Sequence, residues 1–264
     1  MAESLLYLLL GIAAGVLAGL LGIGGGLVIV PVLGWFWMRQ GIALEQALPM
    51  AIATSLASMW FTSASSAWAH FRRAQVDLNA AWRLGPAVAV GSLAGGWTAA
   101  LLPGEMLARL FALLIALIGL RMLLHASEPS AARTARPRLW WAFGPLAGAL
   151  SALLGIGGGS FNVPYLRYNG YPMLVAVGTA AACGWPIAVA GTLGFVIGGW
   201  GVVEGPGQFG FVYLPAALLI GLGGFIAAPW GARLARRLGA VALARLFGLF
   251  LLAVSIRVWL GAQG

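Results

Sequence analysis

The sequence predicts an all-α polytopic membrane protein built from two inverted repeats, each a glycine-broken helical hairpin followed by three transmembrane helices. Three observations carry this expectation. The first is composition: of 264 residues 61% are hydrophobic and only 8% charged, and the mean hydropathy is +0.96. A soluble domain carries about 25% charged residues, so this chain cannot clothe itself for water, and its apolar runs approach the ~20 residues that cross a bilayer core. They are too long and continuous for the ~10-residue alternating segments of a membrane β-barrel. The second is a duplicated stretch, "LLGIGGGLVIVPVL" at Leu20–Leu33 and "LLGIGGGSFNVPYL" at Leu153–Leu166. The third is the distribution of the fifteen cations, all arginine.

In chain order, the first repeat (residues 1–125) opens with a glycine-interrupted module, Leu5–Met38. Its 34 residues would make a straight helix about 50 Å long, too much for one crossing. Glu3 precedes the first apolar run and no basic residue does, so this segment is expected to be retained as a span and not cleaved as a signal peptide. Three ordinary spans follow at Ala47–Ala69, Leu84–Leu102 and Met106–Leu124. Residues 126–139, with "EPS" and three arginines, have the composition of a cytoplasmic linker. The second repeat (140–264) begins with the module Leu139–Tyr168 and continues with spans at Leu174–Trp200, Tyr213–Gly231 and Val241–Leu260. Gly15–Leu33 and Gly148–Leu166 share 12 of 19 residues, and "LARLF" recurs at Leu107–Phe111 and Leu243–Phe247. Trp35, Trp37, Trp68, Trp82, Trp140, Trp141, Trp200, Trp230 and Trp259 fall near run ends, as an interfacial aromatic belt would.

Each module is either one crossing plus a surface helix or a hairpin that returns to its starting side. If each crosses once, the arginines split 8 against 7 across the membrane. If each turns back, the split becomes 12 against 3, the bias that cytoplasmic loops carry. Turning back also makes each half an odd number of crossings, so the halves are inverted and both termini lie outside. The charged loops agree: Phe71–Arg83 is basic where Gly201–Gly210 is not, and Ala232–Gly239 is basic where the first half has "PGE". Inverted repeats with interrupted segments are typical of transporters, whose substrate sits near the midplane at the repeat interface.

The chemistry is expected at the breaks. Gly24, Gly25 and Gly26, and Gly157, Gly158 and Gly159, let the backbone turn, and Pro31 and Pro164 follow five residues after the last glycine. Each module therefore reads as helix, glycine turn and second short helix, with the proline early in that helix. A helix that starts inside the membrane presents unpaired N–H groups and a positive dipole end there, which favours an anion without any fixed cation. Close helix packing is the alternative use of such glycines; the clusters match neither a P-loop nor a dinucleotide fingerprint. Ser160 and Asn162 follow the second cluster where Leu27 and Ile29 follow the first, as ligands or as caps. Thr54, Ser58, Thr62 and Ser66 recur every four residues with Ser55 beside them, and Thr179 holds a comparable point in the second half; such hydroxyls bind an oxyanion or bond to helix carbonyls. Cys183 reads as a packing residue, and no Asp, Glu, Lys or His falls at mid-span, so no proton relay is marked.

The duplicated "G-x-G-G-G-x-x-x-x-P" modules, with "ATS" at Ala53–Ser55 and "VGTA" at Val177–Ala180, resemble the TauE/SafE family of prokaryotic membrane transporters, the four-toluene-sulfonate uptake family, over nearly the whole chain. The family's usual second-half "GTS" is here Gly178-Thr179-Ala180. The resemblance implies transport, often export, of sulfite, sulfonates or related sulfur-containing anions across the cytoplasmic (inner) membrane. The expected partners are thus a small anion, the lipid bilayer and, as an option, a coupling proton or cation, with no nucleic acid, cofactor or metal. A secondary carrier is the leading expectation; a passive anion channel and an intramembrane enzyme are its rivals.

Overall fold

The computed structural model describes residues 2–21, 25–124, 140–235 and 240–261. Gly24 and the 126–139 connection lie outside the described residues. Among these residues ten helices form. In the first half they are α1 (Ala2–Leu21), α2 (Gly26–Arg39), α3 (Leu44–Phe71), α4 (Leu78–Leu101) and α5 (Gly104–Leu124). In the second they are α6 (Trp140–Leu154), α7 (Gly159–Tyr168), α8 (Met173–Gly198), α9 (Leu214–Ala235) and α10 (Ala240–Gly261). The molecule is an all-α polytopic membrane protein, and the helices of α4, α5, α8 and α9 contain apolar stretches long enough to cross a bilayer.

Both glycine modules double back. In the first, the beginning of α1 meets the end of α2: Gln40 Nε2 donates to Glu3 Oε1 at 2.9 Å and Trp37 Nε1 to the Tyr7 hydroxyl at 3.3 Å, with Tyr7 and Phe36 edge to face. In the second, Trp140 and Phe143 at the beginning of α6 pack on Tyr165 of α7, the Phe143 and Tyr165 rings stacked 3.8 Å apart. The breaks carry residues that permit a reversal, and α2, α6 and α7, of 14, 15 and 10 residues, are too short to cross alone.

The first arm of each hairpin packs along a helix of the other half, α1 on α9 and α6 on α4, and the second arm along its own half, α2 on α3 and α7 on α8, while α3 packs on α8 and α5 on α10. Small residues bring these helices together: a Cβ on Gly15 would stand 2.6 Å from Gly224 Cα, and one on Gly95 2.5 Å from Ala149 Cα. Such contacts supply the dispersion energy that lipid cannot. At one end, the start of α3 lies against the start of α5, with Glu45 Cα 2.5 Å from the Cβ position of Gly104. At the other, Gly178 near the start of α8 faces His70 in the last turn of α3 and the Gln75 carbonyl beyond it.

Helix α3 runs through the interior, where every residue from Ala47 to Met59 is buried. That position explains why a helix of 28 residues tolerates Thr54, Ser55 and Ser58: protein, not lipid, surrounds them, while Thr62 and Ser66 are half-buried. Val90, Leu117, Ile226 and Leu249 stand outward, more than half exposed, as lipid-facing residues do.

Three details depart from the expectations. Pro31 and Pro164 are each the sixth residue of their helices, not in the first turn, because the last glycine of each cluster already begins the helix; the carbonyls of Leu27 and Ser160 thereby lose their usual intrahelical donor. The 201–213 loop contains a small antiparallel pair, β1 (Gln208–Phe209) and β2 (Val212–Tyr213). Of the expected aromatic belt, Trp37 and Trp140 are buried, closing the two hairpins, while Trp35, Trp68, Trp82, Trp141, Trp200, Trp230 and Trp259 are exposed.

Candidate anion site at the two helix breaks

Helix α2 begins at Gly26 behind an N-cap glycine, Gly25, and α7 begins at Gly159 behind Gly158; neither start has a side-chain cap. All four glycines are buried. The opening N–H groups of a helix have no intrahelical partner, so two uncapped, buried starts bring bare donors and positive dipole ends into the interior.

The two breaks abut. Gly155 turns the second hairpin in the left-handed region, φ +63°, where its Cβ position is bounded by the backbone of Ile52 at 3.1 Å. Its carbonyl oxygen accepts from Ser55 Oγ at 2.8 Å and lies against the α-carbon of Gly26, so close that a Cβ there would overlap it. Met59 wedges between the breaks: its Cε lies 2.5 Å from the Cβ position of Gly26 and its Sδ 3.9 Å from that of Gly157. Ser55 thus acts on the bend itself, its hydrogen bond tying the second break to α3.

Around the second break the surroundings are polar. Asn162 is wholly buried, its backbone N–H donates to Gly158 O at 2.7 Å, and its side-chain amide presses on the α-carbon of Gly158. Neither amide atom has a hydrogen-bond partner, and the same holds for the buried Oγ atoms of Ser160 and Ser151. Buried polar atoms are nearly always paired, so these unpaired atoms in the second hairpin set it apart from the first. Across it, the Cβ position of Gly184 is 3.2 Å from Ser63 Oγ and 4.0 Å from Gly158 N. Around the first break the lining is mostly apolar, a narrow crevice bordered in part by Ala14, Gly25, Ile29, Thr62 and Gly224.

Thr54 and Thr179 hold chain ends. Thr54 Oγ1 accepts from the Tyr213 N–H at 3.1 Å, just before α9, and Thr179 Oγ1 accepts from the Asp77 N–H at 3.0 Å, just before α4. The two threonines perform one task in the two halves, and each hydroxyl proton remains for a further bond. Replacing either by valine is expected to strand a backbone amide and cost about 1–3 kcal/mol of stability, read as a lower unfolding midpoint in detergent. Ser58 Oγ bonds back to Ser55 O at 2.7 Å, the carbonyl bonding expected of a helical serine. Among the described residues no three His, Cys, Asp or Glu gather as a metal group, and Cys183 is a buried free thiol.

The sequence reading missed Ser151, Ser63, Met59 and Gly184. Ser151 was detectable: it stands where Ala18 stands in the first repeat. The others show no motif and enter only through packing.

Comparison with known proteins agrees with this architecture. The chain is 34% identical over 258 residues to a "Probable membrane transporter protein" of Haemophilus influenzae, covering 97% of this chain and 98% of that one. It is 27% identical over 207 residues to the "Probable membrane transporter protein YdhB" of Bacillus subtilis, covering 74% and 80%. A further probable membrane transporter protein, of Methanocaldococcus jannaschii, is 25% identical over 220 residues, covering 82% and 80%. No solved structure matches. The family model described as "Sulfite exporter TauE/SafE" matches residues 7–258, and the chain, a multi-pass protein whose relatives carry transporter names, belongs to that family of membrane transporters.

Proposed function

We propose that the protein is a secondary transporter that exports a small sulfur-containing anion, sulfite or an organosulfonate, across the cytoplasmic membrane. The anion is held at the interface of the halves, between Gly24–Gly26 and Gly157–Gly159, with Ser55, Ser160, Asn162, Thr54 and Thr179 around it. One observation carries this reading: two uncapped helix starts lie buried at abutting breaks, the second beside Asn162, whose buried amide has no partner. Bare N–H groups there satisfy an oxyanion without trapping it on a fixed charge. Transport, not catalysis, is the activity proposed, since Cys183 is the only nucleophilic thiol and lies in helix packing.

Alternating access follows from the inverted arrangement, in which the hairpin and three spans of one half rock against those of the other. Support comes from the exchange of partners, α1 with α9 and α6 with α4, and from Thr54 and Thr179 making the same contact in each half. The reading has both termini outside and the linker in the cytoplasm, on the strength of the arginine bias. A proton or cation gradient is the driving force that such a carrier would use.

Counterflow in proteoliposomes tests the reading with radiolabelled sulfite, sulfoacetate and taurine, with and without a pH gradient. Substrate on the far side is expected to accelerate uptake several-fold. Uptake that proceeds at one rate whatever the far side contains would identify a passive channel.

A further inference from the structure

The unsatisfied polar atoms are not spread evenly over the two hairpins. Between Gly15–Leu33 and Gly148–Leu166 the sequence differs at seven positions, and four of these exchange an apolar residue for a polar one: Ala18 for Ser151, Leu27 for Ser160, Ile29 for Asn162 and Val32 for Tyr165. Each of those four residues carries a buried polar side-chain atom without a hydrogen-bond partner. No residue of α1 or α2 does so among the described residues. Met59 lies on the first break; the α8 residue that stands as far beyond Thr179 as Met59 stands beyond Thr54 is Gly184, whose Cβ position lies 3.2 Å from Ser63 Oγ and 4.0 Å from Gly158 N. The polar contacts to a ligand therefore belong to the second hairpin, and the first supplies an apolar wall.

The chemistry at Asn162 narrows the ligand further. A sulfonate is ionised and only accepts hydrogen bonds; the α7 N–H groups and the Asn162 amide N–H₂ serve it. The amide oxygen of Asn162 is an acceptor, equally buried and equally unpartnered, and no sulfonate oxygen can satisfy it. Leaving it unpaired in the complex would weaken binding. Resting on the anion-site reading above, we infer that the substrate is a small sulfonate that also carries a hydrogen-bond donor, a hydroxyl or an ammonium group within reach of the sulfonate, and that Asn162 recognises both ends.

The test is calorimetric titration of the full chain in lipid nanodiscs with ethanesulfonate, 2-hydroxyethanesulfonate and 2-aminoethanesulfonate, which differ only at the second carbon. At least one donor-bearing ligand is expected to bind about tenfold tighter than ethanesulfonate, the scale of one hydrogen bond made to a buried group, and whichever it is identifies the donor. Asn162→Ile, which installs the residue of the first hairpin at the equivalent position, is expected to bring the ligands within about twofold of one another. The unchanged chain decides the matter even if that variant does not fold. Ethanesulfonate binding as tightly as both others would overturn the donor requirement and leave the anion site standing. Failure of all three to bind a folded chain that binds sulfite would overturn this inference and leave the anion site standing; failure of sulfite as well would overturn the site itself.

Discussion

Gly26→Ala is expected to reduce transport to background in a protein that still reaches the membrane. The added methyl has no room, since its position is taken by the Gly155 carbonyl oxygen and, 2.5 Å away, by Met59 Cε. Methionine can turn aside; the Gly155 backbone cannot, because it is held by Ser55 and bounded by Ile52. The breaks must therefore move apart, at a cost of about 1–3 kcal/mol for overpacking. A displacement of even ~1 Å is enough to misalign a pre-organised site. Uptake assays beside a thermal melt check this: loss of uptake with a modest fall in midpoint is the expected pair of results. Gly34→Ala is the control, because its Cβ position meets only Ala51 Cβ at 3.9 Å, and it should retain uptake.

Ser55→Ala is expected to have the second large effect. Its hydroxyl is the donor to the Gly155 carbonyl across 100 residues of chain, and both groups are buried. Alanine leaves that carbonyl unpaired beside the left-handed turn, a penalty of about 1–3 kcal/mol. Anion affinity should fall about tenfold, because the second break is no longer held in register with the first. Ser55→Thr keeps the hydroxyl and should recover most of the affinity. Equal binding by the alanine variant and the unchanged chain would mean that the bend holds its shape without this bond.

The hairpins were legible because glycine and proline are strong local signals: "GIGGG" is incompatible with a continuous helix, and its repetition 133 residues later argued against accident. The six ordinary spans were legible for a different reason, that bilayer thickness sets their length; α5 ends at Leu124 and α8 starts at Met173, within a residue of the expected limits. The prolines were misread because their preference for a first turn says nothing about where that turn begins; the last glycine decides it. The pair Gln208–Phe209 and Val212–Tyr213 is too short to leave a period in the sequence. Thr54 and Thr179 were visible as hydroxyls, but the amides they hold lie 159 and 102 residues away, a distance over which sequence spacing carries no information. Met59 and Gly184 matter through the space they fill or leave, which only the packed fold defines.

The most direct test of a single anion site between the two breaks is to locate a bound ligand. Crystals grown with 2-bromoethanesulfonate give an anomalous bromine signal that fixes the position and direction of the molecule. The account predicts the sulfonate oxygens about 3 Å from the Gly158–Ser160 amides and the Asn162 side chain, with bromine towards the interior between the hairpins. Ordered ligand elsewhere in the molecule, with the space beside Gly158 occupied only by protein, would contradict it.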